Sequence, residues 1–116
     1  MLIAIHTLTY CGSTATGAVA GFRRMTDTVL LQGRAAVVVG GSRGIGREVA
    51  LLLAALGARV VVNGRDEQAV SETVGEIAAA GHRAVGFAGS PADQDTAAAL
   101  IAACVGEYGS LDILVN

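Results

Sequence analysis

At 116 residues the chain is sized for one domain with a single core, and folding would bury only about two-thirds of its unfolded surface. Hydrophobic residues make up 53% and aromatic residues only 3%, so Ala, Val, Leu and Ile must build the core, as suits helices packed on a parallel sheet. The net charge of −2 gives no basic stripe for nucleic acid, and the absence of Lys excludes a Walker A loop and any lysine Schiff base within the chain.

Residues 1–24 read as an extension outside the fold. Met1 to Phe22 hold no charged side chain, and Ala18-Val19-Ala20 loosely resembles a signal cleavage site. A secretory signal places positive charge before its apolar region, whereas Arg23-Arg24 come after it. No apolar run is long enough to span a bilayer. The expectation is therefore a cytoplasmic protein with no membrane partner, with Met25 as a possible true start and residues 25–116 as the domain.

From Arg34 onward strands and helices alternate. Ala35 to Val39 form a buried strand; Ile45, Val49, Leu52, Leu53 and Leu56 then fall at helical spacing, with Gly57 placed to end the helix. Val60 to Val62 predict a second strand. Asp66 to Ala80 predict a helix with Val70, Val74 and Ile77 on one face, closed by Gly81. Ala84 to Phe87 are a short third strand. Ser90-Pro91-Ala92-Asp93 reads as a helix start with Ser90 as N-cap and Pro91 at the first helical position. Ala97, Leu100, Ile101, Cys104, Val105 and Tyr108 continue that helix to Gly109, and Ile113 to Val115 begin a fourth strand. Right-handed crossovers make the four strands parallel, in spatial order 3-2-1-4 with helices on both faces. The fourth strand is expected at an open edge.

Chemistry concentrates in Gly40-Gly41-Ser42-Arg43-Gly44-Ile45-Gly46, between the first strand and the first helix. A strand, glycine turn and helix in that order suit a dinucleotide pyrophosphate, because glycine permits close approach and helix-start amides face the anion. The end of the second strand bears on which dinucleotide. An NAD site usually carries Asp or Glu there, whereas this chain has Asn63-Gly64-Arg65. Arg43, Arg65 and the Ser42 hydroxyl could converge on a ribose 2′-phosphate, which predicts NADP(H) preferred over NAD(H). The alternative is that Arg65 is a solvated surface charge and Arg43 covers the turn. His6, His82, Cys11 and Cys104 lack partners at ligand spacing, so no metal site is expected.

The turn Val39-Gly40-Gly41-Ser42-Arg43-Gly44-Ile45-Gly46 resembles the Thr-Gly-x-x-x-Gly-x-Gly turn of classical short-chain dehydrogenases/reductases. Leu111-Asp112-Ile113-Leu114-Val115-Asn116 is similar to the entry of that family's Asn-Asn-Ala-Gly segment. The resemblance implies a truncated Rossmann-like fold in which Gly40, Gly44 and Gly46 border the pyrophosphate and Ile45 offers an amide. It implies that Arg43 and Arg65 stand where NADP-preferring members carry basic residues, and that Asn116 lies beside the adenosine ribose. Ser42 and Asn63 complete the expected cofactor-binding set. Val39 replaces the family's Thr, and Ala88 stands where an Asp commonly meets adenine.

The family's catalytic Ser and Tyr-x-x-x-Lys are absent, as are its association surfaces. Tyr108 is followed four residues later by Asp112 and reads as a core or edge aromatic; the other Tyr is Tyr10. No catalytic residue is therefore assigned. The leading reading is the amino-terminal part of an NADP-dependent oxidoreductase acting on carbonyl or alcohol substrates, with a small-molecule substrate only in a full-length form. The alternatives are a short non-catalytic nucleotide-binding module or subunit, and a different α/β enzyme such as a methyltransferase, against which Asn63 argues.

Overall fold

The computed structural model describes the backbone of Ile3–Ile5 and residues 30–116. His6, Tyr10, Cys11, Ala18-Val19-Ala20, Arg23-Arg24 and the possible start at Met25 lie outside the described residues. The elements are β1 (Ile3–Ile5), β2 (Ala35–Val38), α1 (Gly44–Ala55), β3 (Arg59–Gly64), α2 (Glu67–Ala79), β4 (Ala84–Ala88), α3 (Gln94–Tyr108) and β5 (Ile113–Val115).

The sheet runs in the order β1-β5-β2-β3-β4, and every pairing is parallel. The four strands expected from sequence stand in the expected order, each crossover carrying one helix. The fifth strand differs from expectation: Ile3 pairs with Ile113 and Ile5 with Val115. Those three residues are therefore part of the sheet, not outside it, and β5 has a neighbour on both sides. Three apolar residues in an uncharged segment carry no periodicity, so nothing in the local pattern marked them as a strand.

Alternation along the strands sorts the core into two layers. Ala36, Val38, Val60 and Val62 face Val49, Ala50 and Leu53 of α1 and Val70 and Ile77 of α2. Ala35, Val37 and Val61 face Leu100, Cys104 and Tyr108 of α3 on the other side. The β2 residues and Val60 to Val62 are fully buried, as strands covered on both faces should be. Arg47 of α1 pairs with Glu76 of α2, joining the two helices that share a face.

The start of α3 departs from expectation. Asp93, not Ser90, is the N-cap: its carboxylate accepts from the amide of Thr96 and, at 2.9 Å, from the Thr96 hydroxyl. Ser90 instead accepts the Asp93 amide at 3.2 Å, so Ser90-Pro91-Ala92 form a turn ahead of the helix. Both segments satisfy the composition rule for a helix start. The charged acceptor placed three residues before Thr96 prevails.

Candidate functional site

The parallel strands all end at one rim, and each sequence-predicted site residue except Asn63 lies exposed or part-exposed there. Val39 donates its amide to the Val115 carbonyl at 2.8 Å. That bond ties the turn after β2 to β5 through the backbone. Gly41 donates to the Asn63 carbonyl, and Gly89 donates to the Gly64 carbonyl at 2.9 Å. The carboxyl ends of β5 and β3 are thus bonded to the segments that follow β2 and β4.

Within the turn, Gly40 and Gly44 have φ of +69° and +56°, conformations that side-chain-bearing residues rarely adopt. Neither would bring a Cβ within 4 Å of another group, so the requirement is conformational. At Gly46 the requirement is space. A Cβ there would collide with the Gly40 carbonyl, which lies against the first turn of α1. Ile45 is 55% exposed, and its amide belongs to the same first turn.

The start of α1 also lacks a cap. Arg43, its N-cap residue, makes no side-chain bond to the helix, and the first turn holds no acidic residue. The other two described helices are capped by Asp66 and Asp93. A helix start with no side-chain cap from its own N-cap residue, a positive dipole end and glycines on its approach fits a pyrophosphate.

Arg43 is exposed and reaches from this turn to Asp66 at the start of α2, with Nη2 2.5 Å from Oδ2. Asp66 serves two groups at once, because its Oδ1 accepts from the amides of Gln68 (3.0 Å) and Ala69 (3.3 Å). Those amide bonds, together with Arg43, hold its carboxyl below the usual carboxylate range. Arg65 follows β3 directly, is exposed, and enters no ion pair among the described residues. Since β2 and β3 are paired neighbours, the turn carrying Ser42 and Arg43 lies beside the loop carrying Gly64 and Arg65.

Ser42 packs against Gly64 closely enough that a Cβ at 64 would collide with its hydroxyl. The Ser42 carbonyl lies 3.4 Å from Oγ1 of the buried Thr73, which is closer to the Ala69 carbonyl at 3.1 Å. Asn63 takes a different part from the ligand contact expected of it. It is fully buried, and Nδ2 donates to the carbonyls of Phe87 (2.9 Å) and Gly89 (3.1 Å). Its side chain fastens the loop after β4 to the end of β3, while Oδ1 has no partner among the described residues.

Asn116 is exposed and lines a cavity of about 340 Å³ with Val39, Pro91, Leu100, Ile101 and Leu114. Tyr108 lies at the opposite end of the sheet. It is 7% exposed, its hydroxyl donates to the Val60 carbonyl at 3.3 Å, and Arg59 stacks over its ring. Burial pushes its hydroxyl pKa up. Among the described residues no group of His, Cys, Asp or Glu gathers to hold a metal, and no helix is long and apolar enough to cross a membrane.

Gly64 and Asp66 lie against the candidate site residues Ser42 and Arg43 but were not singled out from sequence. Gly64 could have been found from its place at the end of the second strand. The Arg43–Asp66 contact could not, because it joins residues on two different loops with no shared periodicity.

Residues 34–116 match the family described as short chain dehydrogenase. A hydroxyacyl-CoA dehydrogenase of Mycobacterium tuberculosis is 47% identical over 80% of this chain and 31% of its own length. A solved short-chain oxidoreductase of metagenomic origin, in complex with NADP, is 40% identical with a TM-score of 0.68, over 72% of this chain and 38% of its own. A 7α-hydroxysteroid dehydrogenase complexed with NADH and 7-oxo glycochenodeoxycholic acid is 33% identical with a TM-score of 0.74, over 78% of this chain and 36% of its own. The chain spans about a third of the length of the curated relatives it matches.

Proposed function

The chain belongs to the short chain dehydrogenase family, and from that premise we propose that it is the NADP(H)-binding amino-terminal portion of an oxidoreductase. The observation that carries the reading is the uncapped, glycine-lined start of α1 beside the loop that holds Arg65. Amides of Gly44, Ile45 and Gly46 would face the pyrophosphate, with Gly40 leaving room for its approach. Arg43, Arg65 and the Ser42 hydroxyl would hold the 2′-phosphate, and Gly64 presents no carboxylate in its path. Asn63 positions this rim from within, and Asn116 borders the adenosine side. The NADP-bound relative is consistent with this preference, and the NADH-bound relative shows that the fold alone does not impose it.

When bound, the nicotinamide supplies the hydride exchange with a carbonyl or alcohol. The residues described here bind and orient the dinucleotide and do not complete that reaction. The sequence holds no Lys for a Tyr-x-x-x-Lys pair, and the Tyr108 hydroxyl is engaged at the far end of the sheet. The small-molecule substrate belongs to a full-length form, and we place the protein in the cytoplasm from the charge order of its leading segment.

The test is a titration of the chain with NADPH and with NADH, following nicotinamide fluorescence. A charge-assisted bond to the 2′-phosphate contributes about 1.5–3 kcal/mol, so NADPH is expected to bind about tenfold more tightly or better. Equal affinities, or tighter NADH, would overturn the NADP(H) reading.

A further inference from the structure

Arg43 already has an anionic partner. Its guanidinium meets Oδ2 of Asp66, while Oδ1 of the same carboxylate caps α2 through Gln68 and Ala69. The Arg43 side chain is 73% exposed and that of Asp66 48%, so the pair is solvated and exchangeable. It spans the two loops between which the 2′-phosphate would enter. The amide bonds of α2 keep the carboxylate in place whether or not Arg43 stays on it.

We propose that Asp66 is a specificity-tuning residue, a built-in counter-ion that competes with the dinucleotide's 2′-phosphate for Arg43. The proposal rests on the NADP(H) reading above and deepens it. With NADH there is no phosphate and Arg43 stays on Asp66. With NADPH the guanidinium exchanges one anion for another, and the fixed carboxylate beside it opposes the incoming charge. Asp66 thereby narrows the gap between the two cofactors instead of widening it.

The capping role can be separated from the charge. Asp66→Asn keeps a side-chain oxygen suited to an N-cap and removes the negative charge; Asp66→Ser serves as a second cap-competent variant should the first fail to fold. In 116-residue chains of matched circular dichroism, Asp66→Asn is expected to lower the Kd for NADPH about three- to tenfold at low salt. The Kd for NADH should stay within about twofold, since that ligand lacks the charge in question. In an Arg43→Gln background the gain from Asp66→Asn should shrink, because the counter-ion no longer has a guanidinium to occupy.

A parent chain without NADPH preference, or one that binds neither dinucleotide, overturns the underlying reading and the proposal with it. A parent that prefers NADPH, with Asp66→Asn unchanged or weakened, overturns the proposal alone. An equal gain with Arg43 and with Gln at 43 also overturns it, since Asp66 would then act on the phosphate directly.

Discussion

A Cβ placed on Gly64 would collide with Oγ of Ser42 and lie 3.0 Å from both the Ser42 Cβ and Cγ2 of Val70. The usual NAD-favouring change, a carboxylate at the end of this strand, therefore meets an obstacle from the neighbouring turn. Gly64→Asp alone is expected to cost about 1–3 kcal/mol of stability from overpacking, measured by urea unfolding, with no gain in NADH affinity. Adding Ser42→Gly removes the nearest obstruction, and the double variant should bind NADH about tenfold more tightly than Gly64→Asp, as one charge-assisted ribose bond allows. Residue types and spacing mark the glycine turn between the first strand and the first helix, and the structure places that turn at the carboxyl end of the sheet. The internal bonding of Asn63 was not legible, because its type suits either a ligand contact or an internal bond and the sequence does not report burial.

Among the helix starts, that of α3 was the least legible. Ser90-Pro91 and Asp93-x-x-Thr96 both carry start signals, three residues apart, and the structure uses the second. Asp93→Ala should therefore lower stability by about 1 kcal/mol in urea unfolding, whereas Ser90→Ala should fall within the scatter of a surface change. The helices themselves were evident, since their apolar faces recur at helical spacing and must meet a continuous apolar sheet. Strand ends were blurred because β3 extends beyond its valines to Gly64. There the backbone continues to pair with β4 even though the side chains no longer look like a strand.

Across the whole molecule, strand order followed from alternation and crossover handedness, but pairing of β1 with β5 joins segments nearly the full chain apart and no local pattern encodes it. A second long-range tie is polar. Asp112, just before β5, accepts the Ala35 amide and the Ser110 hydroxyl, while Ala35 accepts the Asp112 amide in return. The Ala35 amide and Ser110, with Arg34 beside it, hold the Asp112 carboxyl below its ordinary 3.8. A depressed carboxylate adds stability that is complete above the unfolded value and is lost as pH falls through the folded one. Thermal melts should show Asp112→Ala below the parent by a constant margin above about pH 5. That margin should close as pH drops below 3.8 toward the folded value.

The segments after β2 and β4 are fastened to the strand ends at the rim before any ligand arrives. Val39 is bonded to Val115, Gly41 to Asn63, Gly64 to Gly89, and Asn63 to both Phe87 and Gly89. A guest seated there has little backbone freedom left to remove, so the entropy lost on association falls mainly on the guest.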